Sequence, residues 1–207
     1  MTTRAVSAGA GVQPPTLYRL FGDMQGLLDA VALTLFAAYV EGKAAFPASA
    51  DPIEDLRRGW DRYVAFNVQN PEVFLHIYAN QRHGPASVVA ARGIERLRQL
   101  VERMAKAGCL AVSIPHAVQL MHAAAQGVIL TMINQPETQR DPDVSASLRE
   151  SVLARIAVPC DGSTTSSEPR TIASYAIALG ATIRAEGCEL SEAEQRLLLE
   201  WLDRLSH

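Results

Sequence analysis

Thr2-Thr3-Arg4-Ala5-Val6-Ser7-Ala8-Gly9-Ala10-Gly11-Val12-Gln13-Pro14-Pro15-Thr16-Leu17-Tyr18-Arg19-Leu20-Phe21 is the stretch that decides how this chain is read. Two short helical segments flank Gly11, a residue that admits the positive φ a tight interhelical turn often needs. The second segment opens at Gln13-Pro14-Pro15, where proline is tolerated because first-turn amides lack helical partners anyway. Val6, Ala10, Val12, Leu17 and Phe21 are spaced to meet in one small core across the turn. Thr16, Tyr18 and Arg19 then project from the outer face of the second segment. A short helix carrying polar donors outward is of the right size for a DNA major groove. The pattern predicts a helix-turn-helix.

Working outward, the periodicity is helical nearly everywhere. Apolar stripes at the 3–4 spacing of one helix face run through Leu28, Val31, Leu35 and Tyr39, and through Ile53, Leu56, Trp60, Tyr63 and Asn67. Others run through Ile94 to Met104, Val118 to Met132, Val144 to Ile156, Ile172 to Ile183 and Leu198 to Leu205. Asp51-Pro52, Asn70-Pro71 and Asp141-Pro142 each place a capping side chain before a first-turn proline. Ser191 and Glu194 have the spacing of a capping box, and Gly108 and Gly187 sit where helix C-terminal caps belong. Residues 159–169, rich in Ser, Thr and Pro, read as a loop. No stretch alternates as a strand does. The expectation is an all-α protein, with a helix-turn-helix head at 1–23 and a helical regulatory and dimerisation bundle over 24–207.

Charge and composition narrow the function. The 207 residues carry a formal net charge of −3 and are 48% hydrophobic, which fits a folded globular chain. Residues 1–22 hold Arg4 and Arg19 and no acid, whereas 188–207 are net acidic. A DNA-facing end and a solvated far end would show that asymmetry. No apolar run reaches the roughly 18 residues of a membrane span, and no signal peptide opens the sequence. Cys109, Cys160 and Cys188 are odd in number and far apart, the pattern of reduced thiols in a cytoplasm. The histidines show no metal-ligand spacing, and no nucleophile, acid/base pair or phosphate-binding loop suggests an enzyme or a cofactor.

The segment from Thr2 to Phe21, continuing into Leu27-Leu28-Asp29-Ala30-Val31, resembles the DNA-binding motif of the tetracycline-repressor (TetR) family. The matching residues are Thr2, Thr3, Arg4, Ala10, Gly11, Val12, Pro15, Thr16, Leu17, Tyr18 and Phe21. The resemblance implies that Thr2, Thr3 and Arg4 touch DNA from the first helix of the motif, and Gln13, Pro15, Thr16, Tyr18 and Arg19 from the recognition helix. Arg4, Gln13 and Arg19 are candidates for base edges, Thr2, Thr16 and Tyr18 for phosphates. The family carries a further helix before this motif that has no counterpart before Met1, so the head reads as incomplete at its N-terminus. Met24 stands where the family usually has a lysine or arginine.

The resemblance also implies a double-stranded operator, a homodimer, a cytoplasmic location and an effector pocket inside the bundle. For a small apolar or amphipathic effector, candidate lining residues are Trp60, Tyr63 and Asn67, then Phe74, Tyr78 and Gln81, then Met121, His122 and Gln126. These mix aromatic surface with hydrogen-bonding groups on helix faces expected to be buried. Helices 115–134 and 170–186 are the leading dimerisation pair, their small residues (Ala123, Ala124, Gly127; Ala173, Ala176, Gly180) permitting close approach. Two readings stay open: a ligand-responsive regulator, and a ligand-binding helical dimer that has lost DNA binding.

Overall fold

The computed structural model describes residues 2–44, 49–79, 85–160 and 171–206. Among these, ten α-helices form and no strand does: α1 (Thr3–Gly9), α2 (Pro14–Phe21), α3 (Met24–Ala44), α4 (Pro52–Gln69), α5 (Pro71–Ala79), α6 (Pro85–Lys106), α7 (Ile114–Ile133), α8 (Asp143–Ile156), α9 (Ile172–Glu186) and α10 (Glu192–Leu205). The fold is all-α with an amino-terminal helix-turn-helix. From residue 161 the expected loop lies outside the described residues, as does Gln81.

The helix boundaries follow local chemistry. The Asp51 carboxylate accepts from the Ile53 amide at 2.8 Å, and the Asp141 carboxylate from the Asp143 amide at 2.9 Å. At α10 the Ser191–Glu194 capping box is closed in both directions. Gly108 and Gly187 take positive φ after α6 and α9, as expected of terminating glycines.

The described chain divides into two compact units. One holds residues of 1–47 and 70–93, the other those of 48–69 and 94–207. In the first, α1 packs on α2, α2 on α3, and α3 on α5. Among the described side chains of α3, Ala32 and Phe36 are buried, while Val31 and Leu35 are exposed. The expected Leu28–Tyr39 stripe is therefore misphased, because α3 is apolar nearly all round and periodicity alone cannot choose its inner face.

In the second unit, α4, α7 and α8 share a core containing Leu56, Trp60, Val64, Met121, Ala125, Val128, Leu153 and Ile156, all buried. The α4 and α7 stripes are as expected. Val144 and Leu148 of α8 are exposed instead, and that half of α8 is tied to α4 by polar groups. Arg57 Nε donates to Glu150 at 3.0 Å, Arg149 pairs with both Glu150 and Asp61, and Trp60 Nε1 donates to Ser145 Oγ at 3.0 Å. The two guanidiniums, Arg57 foremost, hold the Glu150 carboxyl below its usual range.

α9 and α10 form a hairpin around Ala176, Ile183 and Leu202. The close-packing residues Ala176 and Gly180, expected at a subunit contact, are buried within the chain; a Cβ on Gly180 would lie 3.9 Å from Leu202. The exposed face of α9 carries Ile172, Tyr175 and Leu179 instead.

Two buried features escaped the sequence reading. Asp55, in the first turn of α4, pairs with Arg58 and Arg103 and accepts from the Ser49 amide at 3.1 Å. Burial opposes its charge, but the Ser49 amide and the two guanidiniums outweigh that and set the carboxyl at about 2. The second corrects the expectation of three reduced thiols: Cys109 and Cys160 are joined in a disulfide, and only Cys188 is free. Their proximity arises from an antiparallel bridge between Leu110 and Ala157, which no linear spacing reveals.

Candidate nucleic-acid interface

The head is built around its turn. Gly11 has φ of +65°, and the amides of Ala10 and Val12 donate back to Val6 and Ser7 carbonyls at 2.9 and 3.0 Å. Leu17 and Ser7 are buried between the two helices, Val6 and Phe21 half-buried. Ala10 and Val12 are exposed, contrary to the expected five-residue core. Helices of seven and eight residues meet along one line and bring too little side chain together to cover both sides of the turn.

Thr2 caps α1 through its hydroxyl, which accepts from the Ala5 amide at 3.4 Å. Thr3 and Tyr18 bring their hydroxyls within 3.4 Å of each other across the two helices. Tyr18 is half exposed rather than packed beneath the motif, so its ring and hydroxyl stand at the surface beside Thr3. Gln13 is the N-cap residue of α2 and its side chain makes no capping bond, while Pro15 is exposed and Thr16 half-buried. Arg4 and Arg19 are exposed, and neither forms an ion pair among the described residues. The eight expected DNA-contacting residues thus fall on one short motif with two unpaired cations and no acid to compete for them.

Glycines fix how the motif joins α3. Gly22 ends α2 with φ of +80°, its amide donating to the Tyr18 carbonyl at 2.9 Å. Asp23 then caps α3, accepting from the Gly26 amide at 2.8 Å. A Cβ at Gly26 would sit 2.0 Å from the Phe21 carbonyl oxygen, so only glycine lets α3 start this close to the end of α2. No sequence signal singled out Gly26, because the crowding is set by where α2 ends. Further along, His76 of α5 lies 2.8 Å from Asp29 and 3.3 Å from Gln25, joining α5 to the first turns of α3.

The effector candidates fall in both units. In the second, Trp60, Asn67 and Met121 are buried. The Trp60 indole is satisfied by Ser145, and the Asn67 amide donates to the Tyr63 carbonyl at 2.7 Å. Tyr63, His122 and Gln126 are half-buried, and burial pushes the His122 imidazole below its usual value, favouring the neutral ring. In the first unit, Phe74 and Tyr78 stack with centroids 4.8 Å apart. A cavity of about 760 Å³ opens elsewhere in the second unit, lined by parts of α6, α7, α9 and α10, and none of the effector candidates borders it.

Fold and site together define a helix-turn-helix motif at the amino-terminal end of an all-α chain. Residues 1–31 match the family model described as bacterial regulatory proteins, tetR family, so this stretch is similar to the DNA-binding head of that family. Neither the curated proteins nor the solved structures yield a match. Among the described residues, no helix is long and apolar enough to cross a membrane.

Proposed function

We propose that the chain is a ligand-responsive repressor that binds a palindromic operator as a homodimer, with the head at 1–23 and the regulatory and dimerisation part over 24–207. The observation that carries the reading is the exposed, unpaired Arg4 and Arg19 on an acid-free helix-turn-helix. Cations so placed reach phosphates and guanine edges without first breaking an internal ion pair. One head reads one half-site, so two-fold pairing follows from operator symmetry. The exposed faces of α7 (Gln119, Ala123, Gly127, Leu130) and α9 (Ile172, Tyr175, Leu179) support a subunit contact there.

A small apolar or amphipathic effector, held either by Trp60, Tyr63, Asn67, Met121, His122 and Gln126 of one unit or by Phe74 and Tyr78 of the other, would shift α3 and with it the head. A coupling of roughly 1–3 kcal/mol changes operator affinity about 5- to 150-fold. The test is a gel shift with the DNA upstream of the chain's own gene, run across a salt series. A steep salt slope with sequence preference is expected, and Arg19→Ala should cost roughly 1–3 kcal/mol of binding while dimerisation persists. The exposed Val12 and Leu20 favour a second reading, a ligand-binding dimer without DNA affinity. Absence of any sequence preference at low salt would establish it over the first.

A further inference from the structure

We propose that Cys109 and Cys160 form a reversible dithiol–disulfide couple that reacts with hydroperoxides, a modification site at the base of the α7–α8 hairpin. The inference rests on the DNA-binding reading in one respect. A protein working at bacterial DNA is bathed in reducing thiols, so a disulfide there is a transient, signalling or catalytic state.

Three observations carry it. First, the two sulfurs differ in access. Cys109 is completely buried, whereas Cys160 is half-buried, so oxidants and reductants meet Cys160 first. Second, the cysteines are held together by more than their bond. The Ala111 amide donates to the Ile156 carbonyl at 2.8 Å and the Val158 amide to the Cys109 carbonyl at 3.0 Å, while Leu110 and Ile156 are buried beside them. With this backbone pairing intact, two thiols remain adjacent after reduction, which makes closure fast and the fold independent of it. Third, the bond spans 51 positions that contain all of α7 and α8, so oxidation ties the two ends of that hairpin together.

The chemistry balances with a hydroperoxide as oxidant. The Cys160 thiolate attacks the terminal peroxide oxygen, the O–O bond breaks, and the departing alkoxide takes a proton to leave as the alcohol (water, from hydrogen peroxide). The Cys109 thiol then attacks the Cys160 sulfenic sulfur and gives up its proton as the hydroxyl leaves as water. Reduction runs through attack of an external thiol on the Cys160 sulfur, with Cys109 as the leaving thiolate, and a second thiol releases Cys160.

The experiment uses the full chain reduced with dithiothreitol, freed of it, and given one equivalent of hydrogen peroxide. Alkylation and mass spectrometry should show Cys109–Cys160 formed and Cys188 free. The reduced chain should keep its helical circular dichroism and melt roughly 10 °C lower than the oxidised chain, as closing a loop of this length implies. In Cys109→Ser, and in Cys109→Ala should serine at the buried site unfold the chain, dimedone should trap a sulfenic acid at Cys160. Three results would overturn the proposal: reduced protein that loses its helices, thiols left free after peroxide, or no dimedone adduct at Cys160 in a folded variant. None of these readouts needs DNA. A gel shift that fails in both redox states therefore counts against operator binding alone.

Discussion

In the head, α1 and α2 together bury only Ser7 and Leu17; in the bundle, α4 alone buries Pro52, Asp55, Leu56, Trp60, Val64 and Asn67. The head commits most of its side chains to the surface, Arg4, Gln13, Tyr18 and Arg19 among them. The bundle commits its side chains to an interior that many apolar sequences could fill. Specificity of residue type is thus concentrated where burial is least, and stability where the sequence is most interchangeable.

Substitutions can pull these two economies apart. Met121→Ala, in the α4–α7–α8 core, should have the largest effect, lowering stability by roughly 2–5 kcal/mol through lost contact and a residual cavity. Chemical denaturation followed by circular dichroism reads it, and operator affinity of the folded fraction should hardly move. Gly26→Ala should do the reverse. The forced separation of α3 from the Phe21 carbonyl costs roughly 1–3 kcal/mol locally. It should lower operator affinity at least tenfold in a gel shift, with the main melting transition intact; unchanged affinity would show that the junction tolerates a Cβ.

The buried Asp55 cluster gives the bundle a pH signature. Its folded carboxyl titrates at about 2, below the unfolded value, so its stabilisation is complete above the unfolded pKa and is lost as pH falls toward 2. Between pH 5 and pH 2 wild type should lose about 2 kcal/mol more than Asp55→Asn, measured by urea denaturation at each pH. Ser7→Ala is the smallest change. Among the described residues the buried Ser7 hydroxyl has no hydrogen-bond partner. Removing it should stabilise the head by about 1 kcal/mol, seen as slower amide exchange in α1 and α2.

How far the sequence could be read follows the same division. Gly11, Leu17 and the Gln13-Pro14-Pro15 start specify local geometry, so the helix-turn-helix was visible within twenty residues. α4 was legible because Asp51-Pro52 marks its start and Ile53, Leu56, Trp60, Tyr63 and Asn67 keep helical spacing, although the buried Asp55 beside them was not. α3 and α9 were not, since apolar residues on every side leave the buried face to tertiary packing. The Cys109–Cys160 bond was invisible because the Leu110–Ala157 bridge that makes it is a tertiary pairing. Trp60 and Phe74 looked like two walls of one pocket, yet they fall in different compact units.

The Arg57–Glu150–Arg149–Asp61 chain has an experimental consequence. It holds the first half of α8 where Val144 and Leu148 are only partly covered, and its charges are partly solvated. Pairs of that kind weaken as counterions accumulate, over the ionic strengths that also strip cations from phosphates. Raising salt to count the phosphate contacts of the head would therefore also relax the α8 end of the bundle. A binding curve and the fluorescence of Trp60, read in a Trp201→Phe background, should bend over the same range of salt for two unrelated reasons.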